Sequence, residues 1–138
     1  MIVIPDASVI LKWVLPSNIS PLQDQALAIR DAALSDSISL IVPPLWRYEV
    51  GNTLTRLIPD NALHLMVLCE SVGLTEVKAD DEWLEIAVGL VSRSQVSFYD
   101  AAYHALAIAQ SAVFVTADEK YVNKSERSTH LCLLKDWP

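Results

Sequence analysis

Two short stretches decide the fold of this chain: MIVIPD at residues 1–6 and VFVTAD at residues 113–118. Each is a run of apolar, mostly β-branched residues that reaches an aspartate directly or after one alanine. The apolar residues do not alternate with polar ones, so both faces of each strand are predicted to be covered. That pattern is typical of a parallel sheet between two layers of helices.

Outward from these stretches, short apolar runs alternate with longer segments of helical periodicity. This order predicts a single α/β domain, a three-layer α/β/α sandwich around a mainly parallel sheet. The predicted strands cover residues 1–5, 39–42, 74–77, 113–116 and 131–134, and the predicted helices cover residues 7–15, 21–36, 43–57, 59–72, 80–94, 101–110 and 118–125.

The composition is that of a folded globular chain. It has 138 residues, of which 52% are hydrophobic, and a mean hydropathy of +0.31. These values suit one domain with its own core. No apolar run approaches the roughly 20 residues of a membrane span, and the N-terminus lacks the pattern of a signal peptide. Cys69 and Cys132 lack metal-ligand spacing, so we expect free thiols in a reducing, cytoplasmic compartment and no membrane association.

Several enzyme classes are excluded by the sequence. The three glycines are isolated, so there is no glycine-rich phosphate loop. No serine lies in a GxSxG elbow, and the three histidines show no paired spacing for a metal or for metal-free RNA cleavage. A receiver domain needs a second acid beside the first strand's aspartate, and an aspartyl phosphatase needs D-x-D. Here the aspartate is flanked by Pro5 and Ala7 and followed by Ser8.

Four carboxylates come from separate places in the sequence and fall at or just past one edge of the predicted sheet. Asp6 and Asp118 follow two strands, Glu49 lies one turn into the helix after the second strand, and Asp100 lies in the first turn of a helix. Ligands of open parallel sheets bind at this carboxyl edge. We therefore take these four residues as the candidate site.

Helix capping is an alternative explanation for three of the four acids. Glu49 is different, because it lies mid-helix beside the apolar stripe of Trp46 and Val50 and has no obvious local partner. Burying an unpaired carboxylate is costly, and a metal would supply the missing partner. The candidate caps are Asp6 or Ser8, the pair Ser97 and Asp100, and Thr116 with Glu119 around Asp118.

Carboxylates that are brought close together repel each other and raise each other's pKa. A hard divalent cation removes this conflict, and oxygen ligands select Mg²⁺ or Mn²⁺ over zinc. The pattern therefore predicts a Mg²⁺ or Mn²⁺ site.

Four segments occur in a specific order and spacing: IPDASVILKW at residues 4–13, PPLWRYEVGN at 43–52, FYDAAYHALAIA at 98–109 and VFVTADEKY at 113–121. Together they resemble the PIN domain of VapC-type toxins over nearly the whole chain. The resemblance implies one PIN domain over residues 1–138, with a five-stranded parallel sheet.

The resemblance also implies which residues form the site. The metal ligands and catalytic acids carried over are Asp6, Glu49, Asp100 and Asp118. Ser8, in a D-x-S pattern, and Thr116, in T-x-D, are implied to support those ligands. Asn52, in E-x-x-N, has an implied structural or supporting role, and whether Glu119 adds a further acid stays open.

The activity implied is that of a Mg²⁺- or Mn²⁺-dependent endoribonuclease, the toxin of a type II toxin–antitoxin pair. Its partners would be RNA, a small antitoxin protein with a basic tail, and a second copy of the chain in a homodimer. Two alternatives remain: a non-catalytic PIN-fold module that binds RNA or protein, and an RNA-processing nuclease outside any toxin–antitoxin pair.

Charge and apolar patterns suggest where the partners would bind. The net charge is -7, but residues 60–85, with seven acids and one lysine, hold -6 of it. We expect RNA binding that is weak, salt-sensitive and metal-dependent. The expected RNA contacts are Lys12, Arg47, Lys120 and Lys124. The expected antitoxin groove is formed by Leu11, Trp13, Val14, Trp46, Leu54 and Leu57.

Overall fold

The structure, a computed structural model, describes residues 1–125 and 130–138. This part of the chain is an α/β/α sandwich, and its five strands form one parallel sheet, as predicted. The strands are β1 (Ile2–Pro5), β2 (Ser39–Val42), β3 (Thr75–Glu76), β4 (Val113–Thr116) and β5 (Leu131–Leu133). The α-helices are α1 (Ala7–Leu11), α2 (Gln23–Leu34), α3 (Leu45–Leu57), α4 (Ala62–Glu70), α5 (Asp81–Ser94), α6 (Phe98–Ala109) and α7 (Glu119–Lys124), and short 3₁₀ turns cover Pro59–Asn61 and Leu134–Asp136.

The strand order β3-β2-β1-β4-β5 places the two aspartate-terminated strands next to each other. The chain builds from β1 outward to β2 and β3, and then returns to the other side of β1 for β4 and β5. The order therefore reverses between β1 and β4, and such a reversal opens a crevice at the carboxyl ends of the strands.

The central strands are covered on both faces. Val3 and Ile4 in β1 and Phe114 and Val115 in β4 are at most 1% exposed. Successive side chains of a strand point to opposite faces, so two consecutive buried residues require a layer of helices on each side. This is why the apolar runs at residues 1–5 and 113–116 contain no alternation.

The predicted elements occur in the predicted order, and the differences lie at their ends. The helix expected over residues 21–36 begins at Gln23, because Leu22 adopts a left-handed conformation with φ of 61°. Pro21 is therefore outside the helix and not in its first turn. The helix expected over residues 7–15 ends as an α-helix at Leu11. The helix expected over residues 59–72 divides into a 3₁₀ turn and α4.

The predicted antitoxin groove is wrong in its composition. Trp13, Trp46 and Leu54 are at most 7% exposed and belong to the core. Each tryptophan is also held inward by its indole N–H: Trp13 donates to the Ala26 carbonyl at 2.9 Å, and Trp46 donates to Glu76 at 3.0 Å. These side chains cannot form a surface groove together.

Two further expectations concern thiols and membranes. Cys69 and Cys132 are free thiols, as predicted, and burial raises the pKa of Cys69 to about 12. Among the helices in the described ranges, none combines the length and the apolar character needed to cross a bilayer.

Candidate active site

Asp6 is the buried centre of the candidate site. It follows β1 directly and is the N-cap of α1, where its Oδ1 accepts a hydrogen bond from the Val9 N–H at 3.2 Å. The Ser8 hydroxyl donates to the same oxygen, and the Thr116 hydroxyl donates to Oδ2 at 2.6 Å. Ser8 and Thr116, the two residues implied to support the ligands, thus both contact Asp6.

The same two hydroxyls join the loops that follow β1 and β4. Thr116 Oγ1 accepts from the Asp118 N–H at 3.0 Å, and Ser8 Oγ accepts from the Ala117 N–H at 3.1 Å. These bonds cross the point where the strand order reverses. They fix Asp118 relative to Asp6, although 112 positions separate the two residues in the sequence.

Asp118 itself caps α7, through a bond from the Tyr121 N–H to its Oδ1 at 3.2 Å. The alternative capping box of Thr116 and Glu119 is therefore wrong. The Thr116 hydroxyl is used by Asp6, and Glu119 forms an ion pair with Lys135 at 3.1 Å.

Glu49 has a protein partner that sequence reasoning missed. The hydroxyl of Tyr103, in α6, donates to Glu49 Oε1 at 2.6 Å. Tyr103 is 2% exposed, and its ring stacks on Phe114 of β4 with centroids 5.9 Å apart. Glu49 has no local partner, as expected, but this distant tyrosine satisfies one of its oxygens, so its burial does not by itself require a metal. The sequence contains one hint of this contact. Tyr103 follows Asp100 by three residues in one helix, a spacing that places both on the same face.

Asp100 lies in the first turn of α6, where Ser97 caps the helix by accepting from the Asp100 N–H at 3.1 Å. The predicted cap is therefore present. The cap involves only the backbone N–H of Asp100. It therefore does not explain why the half-buried carboxylate of Asp100 lies at the carboxyl edge of the sheet.

The four carboxylates of Asp6, Glu49, Asp100 and Asp118, called the acid edge below, are coupled electrostatically. Burial and then the charge of Glu49 raise the pKa of Asp6 to about 6, against the hydrogen bonds from Ser8, Thr116 and Val9. Burial and the charge of Asp100 raise the pKa of Glu49. Burial and the charge of Asp118 raise the pKa of Asp100. The coupling therefore runs from Asp6 through Glu49 and Asp100 to Asp118.

No lysine or arginine in the described ranges forms an ion pair with the acid edge. Lys12 is 7% exposed and donates to the Ser20 hydroxyl at 3.1 Å. Burial lowers the pKa of Lys12, and the charge of Asp6 opposes that shift. Because the residue is almost entirely covered and its ammonium group is held by Ser20, this arrangement does not favour Lys12 as the RNA contact that the sequence suggested.

Arg47 is also engaged elsewhere. Its guanidinium forms ion pairs with Glu70 of α4 and Glu76 of β3, and Glu76 accepts from Trp46 as well. These four residues are called the Arg47 corner below. In this arrangement the guanidinium is already paired with two carboxylates, which weakens the prediction that Arg47 contacts RNA. Lys120 and Lys124, which are exposed on α7, remain the predicted RNA contacts.

The acid edge suits a metal ion by the chemistry of its donor atoms, but its side chains, all of them within the described residues, are not arranged in a preformed binding geometry. In residues 1–125 and 130–138, no three His, Cys, Asp or Glu side chains are arranged to hold a metal ion. The donors at the acid edge are all oxygens, from four carboxylates, of which Asp6, Glu49 and Asp100 have raised pKa values, and from hydroxyls that bond to Asp6. Such a set suits hard cations like Mg²⁺ or Mn²⁺.

The fold and this edge define an α/β protein with a carboxylate site at the switch point of a parallel sheet. The model of the PIN domain family matches residues 3–126, and the chain belongs to that family. PIN domains are generally nucleases, typically use divalent metals and generally bind RNA.

The structure is also similar to a solved protein, described as the crystal structure of PAE2754 from Pyrobaculum aerophilum. The TM-score is 0.64 and the sequence identity is 20%, over 98% of this chain and 93% of that chain. At that identity the similarity supports the fold alone. Among curated proteins, none matches the chain significantly.

Proposed function

We propose that this protein is a Mg²⁺- or Mn²⁺-dependent endoribonuclease and the toxin of a type II toxin–antitoxin pair. We further propose that Asp6, Glu49, Asp100 and Asp118 are its metal ligands and its catalytic acids. The observation that carries the proposal is the acid edge: coupled carboxylates at the switch point, without an ion-pair partner in the described part of the chain. A bound cation would stabilise exactly the arrangement that their repulsion opposes.

A cation bound there would supply positive charge beside a phosphodiester and a water of lowered pKa. The acids of this chain have the remaining roles. Glu49 or Asp118 orients the attacking water or accepts its proton. The water oxygen forms a bond to phosphorus, and the bond from phosphorus to the 3′ oxygen breaks as that oxygen gains a proton. The products therefore carry a 5′-phosphate and a 3′-hydroxyl.

Ser8 and Thr116 position Asp6 in this scheme, since both of its oxygens receive a hydroxyl hydrogen bond. Held in this way, Asp6 keeps one orientation with and without substrate. Such preorganisation is where the protein contributes most to a metal-assisted reaction.

The partners follow from the same proposal. RNA is the substrate, and Lys120 and Lys124 beside Asp118 are its phosphate contacts. A small antitoxin would block the acid edge with a basic side chain, which competes with the cation for the same carboxylates. We propose a homodimer of single PIN domains, each covering residues 1–138, acting in the cytoplasm.

The test is cleavage of a mixed set of end-labelled RNAs by the antitoxin-free protein with Mg²⁺, Mn²⁺ or EDTA. We expect cleavage with either ion and none with EDTA. Asp6→Asn and Asp100→Asn should each lose at least about 100-fold in rate, as ligand loss predicts. Asp36→Asn is the matched control, because Asp36 is exposed at the opposite, amino edge of β2 and its φ of 60° suits asparagine.

Two outcomes would contradict the proposal. Equal cleavage by the wild type, Asp6→Asn and Asp100→Asn would remove the acid edge as the site. RNA binding by the wild type without cleavage under any condition would favour a non-catalytic binding module. Growth arrest on expression, relieved by the small protein of a neighbouring reading frame, separates a toxin from an RNA-processing nuclease.

A further inference from the structure

The exposed aromatic side chains of this protein all lie beside the acid edge. All ten Trp, Tyr and Phe residues fall within the described ranges, and three of them are exposed: Tyr48 at 77%, Tyr99 at 62% and Phe98 at 42%. Tyr48 directly precedes Glu49, and Phe98 and Tyr99 directly precede Asp100. A single exposed apolar residue is common on a protein surface. Here, however, the exposure of aromatic rings coincides with the candidate site.

Helix geometry places Tyr99 on the side of the site and Phe98 on the other side. Tyr99 precedes Tyr103 by four residues in α6, so the two residues share one face of that helix. Tyr103 donates to Glu49, and Asp100 follows Tyr99 directly. Tyr99 therefore lies on the face of α6 that meets the acid edge. Phe98 is about 200° around the helix axis from Asp100.

Tyr48 borders the site on a second helix, α3. It precedes Asn52 by four residues, and Asn52 follows Glu49 by three, so these three residues share one side of the helix. The buried residues Trp46 and Val50 lie on the other side of α3. Tyr48 and Asn52 are both exposed, so they line the solvent side of Glu49.

Neither exposed tyrosine has a polar or aromatic partner in the fold. Within residues 1–125 and 130–138, no hydrogen bond to the hydroxyl of Tyr48 or Tyr99 is formed, and neither ring meets another aromatic ring. The rings that pack on one another belong to buried residues of the core, such as Tyr103 and Phe114. The faces of the two exposed rings are therefore open to a ligand.

Unpaired nucleic-acid bases are a ligand that suits such rings. Every base has a flat π-face, and proteins bind unpaired bases by stacking them on aromatic side chains beside positive charges that contact the backbone. Lys120 and Lys124, exposed on α7 next to Asp118, provide such charges at the same edge of the sheet. In a duplex the base faces are covered by neighbouring pairs, so the rings require single-stranded RNA.

A protein partner suits these two rings less well. Apolar protein contacts need a contiguous apolar patch, whereas the residues next to Tyr48 and Tyr99 include the exposed polar side chains of Asn52 and Ser97. Exposed aliphatic side chains cluster elsewhere, on α4, at Leu63, Val67 and Leu68.

We propose that Tyr99 and Tyr48 stack on unpaired RNA bases next to the phosphate at the acid edge, so that the site takes RNA that is single-stranded where it is cleaved. This inference rests on the proposed function for the presence of RNA at that edge. It deepens that function by naming the conformation of the substrate and two residues, outside the four acids, that recognise it.

The experiment is a fluorescence titration of a short single-stranded RNA that carries 2-aminopurine, an adenine analogue whose emission falls when it stacks. The full-length wild type is titrated in EDTA, and Asp6→Asn, which the proposed function predicts to be inactive, is titrated with Mn²⁺. We expect quenching in both. In each background, Tyr99→Leu should weaken the quenching and raise Kd about 10-fold, the scale of one lost stacking contact. Tyr99→Phe keeps the ring and should stay within about 2-fold.

Tyr48→Leu provides a second, independent variant and should change quenching and Kd in the same direction. Phe98→Leu is the matched control, because it removes an exposed ring from the same turn of α6 on the side away from Asp100. It should leave Kd within about 2-fold of its parent. A duplex of the same sequence should bind equally to Tyr99→Leu and to its parent.

Parental Kd and quenching in both Tyr99→Leu and Tyr48→Leu, or an equal loss in Phe98→Leu, would overturn the inference. Absence of quenching in both conditions would overturn it too. A change in oligomeric state in Tyr99→Leu with unchanged RNA binding would assign the ring to a protein contact instead. If the wild type cleaves RNA with Mn²⁺ and Tyr99→Leu has the same KM, the proposed function stands and this inference alone fails. If RNA is bound and quenched as expected but never cleaved, the proposed function fails and the stacking contacts stand.

Discussion

Acidic side chains have opposite environments at the acid edge and at the Arg47 corner. At the acid edge, burial and neighbouring negative charges raise the pKa values of Asp6, Glu49 and Asp100. At the Arg47 corner, the hydrogen bond from Arg47 lowers the pKa of Glu76. The folded state thus disfavours the charged form of the acids at the acid edge. It favours the charged form of Glu76, which Arg47 neutralises.

The difference separates acids that stabilise the fold from acids that cost stability. Glu70 and Glu76 use Arg47 to join α3, α4 and β3. The acid edge has no such partner in the described residues, so its negative charges lower the stability of the folded state. Unfavourable groups of this kind cluster at functional sites. Neutralising one acid in each region should therefore have opposite consequences for stability and unequal consequences for activity.

The largest expected difference is in activity. Asp100→Asn should lower metal-dependent RNA cleavage by at least about 100-fold, whereas Glu76→Gln should stay within about 2-fold of the wild type, since surface substitutions away from a site have small effects. Initial rates with saturating Mn²⁺ measure both. Comparable losses in the two variants would mean that the corner and the edge do not differ in function.

The next difference is in the pH dependence of stability without metal. The pKa of Asp6 is about 6 in the folded state against an ordinary 3.8. The folded state therefore takes up the proton first as the pH falls. The stability contributed by that proton is complete below pH 3.8 and is lost as the pH rises through 6. Relative to Asp6→Asn, the wild type should gain roughly 2 kcal/mol between pH 7.5 and pH 4.

Urea unfolding in EDTA at several pH values measures this difference, with Asp36→Asn as the reference for an exposed aspartate. A wild type that loses stability relative to Asp6→Asn as the pH falls would show that Asp6 is a stabilising carboxylate, like Glu76.

The smallest effect is expected at the Arg47 corner. Glu76→Gln should lower the free energy of unfolding at pH 7 by less than about 1 kcal/mol, because the pair is partly exposed and screened. Since the folded pKa of Glu76 is lowered, this contribution is present above the unfolded pKa and disappears as the pH falls through the folded value. Its sign is thus opposite to that of Asp6. The same urea series measures it, and a loss that persists in acid would argue against the ion pair.

The sequence predicted the parts of the site that depend on local pattern. A strand and the residue that ends it are neighbours in the sequence. The positions of Asp6 and Asp118 could therefore be inferred from the apolar runs that precede them. Ser97 before Asp100 carries the local signal of a helix start. The parallel sheet followed from apolar runs without alternation.

Contacts between distant segments could not be predicted in this way. Tyr103 meets Glu49 across 54 positions, and Arg47 meets Glu76 across 29. Both pairings depend on how helix α3 packs, against α6 in the first case and against the edge of the sheet in the second, which periodicity does not encode. Lys12 shows the same limit: its burial against Ser20 depends on the course of the loop after α1. The charge of a residue could be read from the sequence, but its partner could not.

Thermal unfolding with and without Mn²⁺ at pH 7 tests the central claim most directly, namely that the acid edge is one cation site that opposes folding until it is filled. For the wild type, Mn²⁺ at 100 times its Kd should add about 2.7 kcal/mol of stability. Asp100→Asn should show little of this gain and should unfold no earlier than the wild type in EDTA. An equal Mn²⁺-dependent gain in both proteins, or none in either, would contradict the account.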